Sequence, residues 1–129
     1  MARRNLVLGI FLAVVCGCSP PKLNVEKTIT DVDFDGTEIT IPAIKNEQKV
    51  NVSVAASGGK IDVFVFLEAN KKDAEKEIMQ KKIGAKVLAH QQVVESATLT
   101  ATIPAGQNAI VKIAASSVKK ANVTYRLTN

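Results

Sequence analysis

The chain has 129 residues, 47% of them hydrophobic but only 4% aromatic, with 17 basic and 12 acidic side chains. That length suits one domain with a single core, and without Trp the core must come from Val, Ile, Leu and Ala. The lysines form scattered pairs (Lys71-Lys72, Lys81-Lys82, Lys119-Lys120) without interleaved aromatics, so nucleic-acid binding finds no footing.

The N-terminus reads as an export signal. Arg3 and Arg4 are followed by an apolar run, Leu6 to Val15, and by the small residue Gly17 just before Cys18. The run is about half the roughly 20 residues needed to cross a bilayer. Val15-Cys16-Gly17-Cys18 resembles the lipobox of bacterial lipoproteins. The resemblance implies cleavage after Gly17, lipidation of the Cys18 thiol and a domain held to a membrane outside the cytoplasm. Ser19, where an Asp would favour the inner membrane, points the same family reading to the outer membrane, facing the periplasm or the cell surface. An ordinary secretory signal with a chance cysteine is the plainer alternative. Cleavage after Val15 fits poorly because that side chain is branched and bulky. Loss of residues 1–17 leaves 112 residues with a net charge of +3. Its only cysteine is consumed by lipid, which leaves none for a disulfide, redox chemistry or a Cys-based metal site.

Residues 18–24 read as a tether, stiffened by Pro20 and Pro21. From 25 to 129 the period is two. Val50, Val52, Val54 and Ala56 alternate with Asn51, Ser53 and Ala55. Ala97, Leu99, Ala101 and Ile103 alternate with three threonines, and Ala121, Val123, Tyr125 and Leu127 with polar residues. Each such run puts one face on a core and the other in water. Ile61 to Leu67 is apolar on both faces and predicts a central strand; Ile110 to Ala115 is similar but interrupted by Lys112. Turn signals separate the runs at Asp35-Gly36, Ser57-Gly58-Gly59 and Pro104-Ala105-Gly106. The pattern predicts eight strands, near 27–34, 37–43, 48–56, 60–68, 86–95, 97–103, 108–115 and 121–128. It predicts an all-β, antiparallel β-sandwich of jelly-roll or immunoglobulin-like type.

One segment departs from this pattern. Asn70 to Gly84 carries an N-cap candidate, early acids, late lysines and a closing glycine. Its apolar face (Ala74, Ile78, Met79, Ile83) is thin, which fits a short helix over the sandwich edge or a charged loop.

Few residues suggest chemistry. Asp31, Asp33 and Asp35 alternate ahead of Gly36, as a calcium loop begins, but position 12 of such a loop would be Pro42 instead of Glu. A hairpin turning on Asp35-Gly36 accounts for them, with Val32 opposite Ile39 and Asp33 opposite Glu38. A weak cation site is the alternative. His90 is the lone histidine and sits in a predicted strand, too few imidazoles for zinc and without a marked nucleophile for catalysis. Asn51-Val52-Ser53 and Asn122-Val123-Thr124 match a glycosylation pattern but read as incidental strand residues.

From Thr37 to Leu127 the order of elements resembles the bacterial pre-peptidase C-terminal type of β-sandwich. The motifs are Ile39-Thr40-Ile41-Pro42 before Lys49-Val50-Asn51-Val52-Ser53-Val54, then Ile61-Asp62-Val63-Phe64-Val65. Ile103-Pro104-Ala105-Gly106 before Ile110-Val111-Lys112-Ile113, and Val123-Thr124-Tyr125-Arg126-Leu127, complete them. The resemblance implies a non-catalytic accessory or binding domain and carries over no functional residue. The combined expectation is a lipid-anchored, non-enzymatic envelope protein without a cofactor, whose partner is another envelope or secreted protein. A module for calcium or carbohydrate is the alternative, and the scarcity of aromatic platforms disfavours the carbohydrate.

Overall fold

All eight predicted runs form strands in a computed structural model, which describes residues 22–129. In order they are β1 (Asn24–Val32), β2 (Thr37–Ile41), β3 (Gln48–Ser57) and β4 (Ile61–Leu67). A 3-10 turn (Glu68–Asn70) leads into α1 (Lys71–Met79). Then follow β5 (Val87–Val94), β6 (Ser96–Ile103), β7 (Ala109–Ala115) and β8 (Ala121–Thr128). The expected signal, Cys18 and the prolines of the expected tether lie outside the described residues; Asn24, assigned above to the tether, already belongs to β1.

The strands make two sheets of four, ordered β1-β8-β3-β6 and β2-β7-β4-β5. All six pairings are antiparallel. The chain changes sheet at every connection except β4 to β5. This order is a jelly roll, and the immunoglobulin-like grouping that the strand pattern left open does not form. Between the sheets, Val50, Val52 and Val54 of β3, Leu99 of β6 and Val123 of β8 belong to one core with Val63 and Val65 of β4 and Val111 of β7.

A second, smaller core lies outside the second sheet. Phe64 and Phe66 of β4, Val87 of β5 and Ile110 of β7 pack there with Ala74 of α1. The helix therefore lies on the outer face of the central strands and not over the sandwich edge. Ile78 and Ile83 join it, whereas Met79 is 82% exposed and does not belong to the apolar face. Asn70 stands at the N-cap but its side chain makes no capping hydrogen bond. The helix ends five residues before Gly84, whose N–H donates to the Glu77 carboxylate at 2.8 Å.

β1 and β2 do not form the hairpin that Asp35-Gly36 suggested. β1 pairs with β8, Val32 opposite Ala121, while β2 pairs with β7, Ile39 opposite Val111 and Glu38 opposite Lys112. The turn carries the chain from one sheet to the other. Asp33 Oδ1 accepts the N–H groups of Asp35 and Gly36, both at 3.1 Å, which curls the backbone locally. The Asp33 carbonyl accepts the Ala115 N–H at 2.9 Å and docks this turn on the end of β7. Gly36 is required twice over: its φ is +84°, and a Cβ there would sit 2.7 Å from the Ile113 carbonyl oxygen.

Candidate functional site

The chain enters the sandwich beside its own C-terminus. The Leu23 N–H donates to Asn129 Oδ1 at 2.8 Å, and Asn129 Nδ2 donates to Gln48 Oε1 at 3.2 Å. Gln48, a buried polar side chain, passes the chain of bonds on to the Pro42 carbonyl at 3.0 Å. A pocket of about 200 Å³ opens here, lined by Leu23, Ile41, Pro42 and Ile44 among others. These bonds tie Leu23, at the start of β1, to Asn129 and to the start of β3.

The acidic candidates do not converge. Asp31 sits where the β1–β8 register breaks, at φ 57°, and its N–H donates to Asn122 Oδ1 at 3.1 Å. The Asp33 carboxylate serves the turn, and Asp35 is exposed. Among the described residues, no three His, Cys, Asp or Glu side chains are placed to hold a metal ion together. His90 is exposed on β5, its ring stacked on Phe64 with centroids 6.3 Å apart. Asn51 stands on an exposed face and accepts the Thr100 hydroxyl at 3.1 Å. Cys18 lies outside the described residues.

What sequence reasoning missed is the end of the sandwich opposite Leu23 and Asn129. The connections β1–β2, β3–β4, β5–β6 and β7–β8 all gather there. They are knitted by Ser116 N–H to the Lys60 carbonyl at 3.0 Å and Ala56 N–H to the Glu95 carbonyl at 2.7 Å. Between them runs an open groove of about 590 Å³, lined by Gly58, Gly59, Lys60, Val93, Ser116 and Lys119 among others. Val93 has φ 56°, an outlying conformation for a β-branched residue, and its N–H is held by Asp62 Oδ1 at 2.8 Å. It is 59% exposed, and Phe34 and Val118 at the same end are 68% and 96% exposed. A signal for Phe34 and Val118 was present, since each is an isolated apolar residue in a polar loop. Nothing marked Val93, which reads as an ordinary strand residue. The groove offers the ammonium groups of Lys60 and Lys119, the Glu95 carboxylate, serine hydroxyls and the apolar Val93.

Electrostatics at the helix are structural. Lys71 meets Glu38 of β2 at 2.9 Å, and Lys112 of β7 meets Glu75 at 3.6 Å. The hydrogen bond and the charge of Glu38 hold the Lys71 ammonium above its ordinary pKa of 10.5.

No protein-family model matches the chain, and a search of curated proteins finds no relative. Among the described residues, no helix is long and apolar enough to cross a membrane.

Proposed function

We propose that this chain is a lipid-anchored, non-enzymatic β-sandwich of the bacterial cell envelope that works by contact with another envelope or secreted protein. The outer membrane, facing the periplasm or the surface, is its place in this reading. The observation that carries it is the polarity of the domain. Cys18, at the end of the lipobox-like Val15-Cys16-Gly17-Cys18, is five residues from Leu23, at most about 18 Å of chain. Leu23 is tied to Asn129 at one end of the sandwich, while the exposed Phe34, Val93 and Val118 stand at the other. An anchor at Cys18 would leave those three residues facing away from the membrane. Isolated apolar side chains among charged and polar residues of both signs suit a protein partner more than a small substrate. The resemblance of its motifs to pre-peptidase C-terminal sandwiches supports an accessory role.

The test is chemical. Cys18→Ala should abolish uptake of labelled palmitate and move the protein from the membrane to the soluble fraction. Continued labelling of that variant sinks the anchor. The calcium alternative gains nothing from the dispersed Asp31, Asp33 and Asp35. It would return only if millimolar calcium raised the melting midpoint of the wild type and not of Asp33→Asn.

A further inference from the structure

Each sheet of the sandwich ends in two edge strands, and unguarded edges pair with other chains. Three of the four edges here are guarded. β1 breaks its register between Ile29 and Val32 and sets Lys27 in line with the inward Val25 and Ile29. β2 has only five residues and carries Glu38. β5 shifts register twice against β4 and contains the left-handed Val93. β6 has no such device. Its eight residues pair with β3 in unbroken register, from Ser96 opposite Ala55 to Ile103 opposite Gln48. It contains no charge, proline or glycine. As the last strand of its sheet, it turns the N–H and C=O of every second residue away from β3.

We infer that β6 is where a second copy of this chain docks, antiparallel, joining two four-stranded sheets into one continuous sheet. The strand's own sequence singles out that occupant. Ala97-Thr98-Leu99-Thr100-Ala101 reads the same in both directions. A two-fold axis through Leu99 sets Leu99 opposite the partner's Leu99, Thr98 opposite the partner's Thr100 and Ala97 opposite the partner's Ala101. Opposite residues of an antiparallel pair share a face. The buried Ala97, Leu99 and Ala101 therefore meet their equals over a shared core, and the exposed threonines meet on the wet face. Such self-complementarity is what an isologous contact demands; a foreign strand would need no palindrome. The pairing turns the two Leu23 ends in opposite directions, so it would lay the strands along a bilayer holding both anchors, whereas a single anchored copy would stand with Phe34, Val93 and Val118 outward. The docking itself does not depend on the lipid anchor.

Cysteine trapping tests both the edge and its register. Thr98→Cys and Thr100→Cys are expressed full length in bacteria, alone and together, and oxidised in intact cells. Both positions are exposed, so neither change opens the core. In the proposed register position 98 faces position 100, whereas two copies of position 98 lie about 8 Å apart, beyond the roughly 7 Å reach of a disulfide. The expected result is a disulfide-linked dimer when the variants are co-expressed, and none above the wild-type baseline from either alone. Three outcomes overturn the proposal: no dimer from the mixture, an equal dimer from one variant by itself, or capture of a different protein in place of the dimer.

Discussion

On the outer face of the sheet β1-β8-β3-β6 stand Thr28, Thr124, Asn51 and Thr100, all exposed, with the Thr28 and Thr124 hydroxyls 3.1 Å apart. On the outer face of β2-β7-β4-β5 stand Phe64, Phe66 and Ile110, all buried beneath α1. The two sheets share an inner core and strand count, yet only one needs a third layer. The difference lies in period. A strand that alternates apolar and polar residues is satisfied by one core, whereas Ile61 to Leu67 has apolar side chains on both faces and must be covered twice. The segment between β4 and β5, the one connection that stays within a sheet, supplies that cover. Its ion pairs to Glu38 and Lys112 set the helix across β2 and β7.

Substitutions can break this contrast at chosen points. The largest effect belongs to Val65→Asp, on the inner face of the central strand. It buries an unpaired carboxylate at a site with no exposure and should remove most of the roughly 5–15 kcal/mol of a domain this size. Denaturant melts read it, and a stable variant would mean that β4 is not central. Next comes Phe66→Ala, on the opposite face of the same strand and equally buried. A loss of about 3–5 kcal/mol is expected if the helix-covered layer is a true core. A loss below 1 kcal/mol, of the kind surface changes give, would show the helix to be loosely laid on.

Gly36→Val probes the point where the chain passes from the polar-faced sheet to the covered one. A β-branched residue at φ +84°, with its Cβ against the Ile113 carbonyl, should cost about 2–4 kcal/mol. Full stability in thermal melts would mean that the turn can be rebuilt. The smallest effect is expected from Ser53→Asp on the polar face, where the new carboxylate stands opposite Arg126. A shift within about 0.5 kcal/mol either way is expected. A larger loss would show that this face is covered in the working protein.

The strands were legible because burial on one side of a sheet writes a period of two into the sequence, as in Val50-Asn51-Val52-Ser53-Val54. The helical segment was legible from its acids, lysines and Gly84, although Met79 was assigned to the wrong face because a thin stripe does not fix a helix's rotation. Pairing was not legible. Asp35-Gly36 carries the chemistry of a hairpin turn, but which strand lies beside β1 depends on residues about ninety positions away in β8, and no local signal encodes that. The end with Phe34, Val93 and Val118 was hidden for the same reason, since its loops are adjacent only after the sheets have closed.

The sequence by itself determined which strand side chains face a core and how many strands there are. Only the tertiary structure decided the jelly-roll order, the position of α1 over Phe64 and Phe66, and the gathering of four loops at one end. Local patterns report each residue's own environment, whereas neighbours in a sheet are set by contacts between distant segments competing for a shared core.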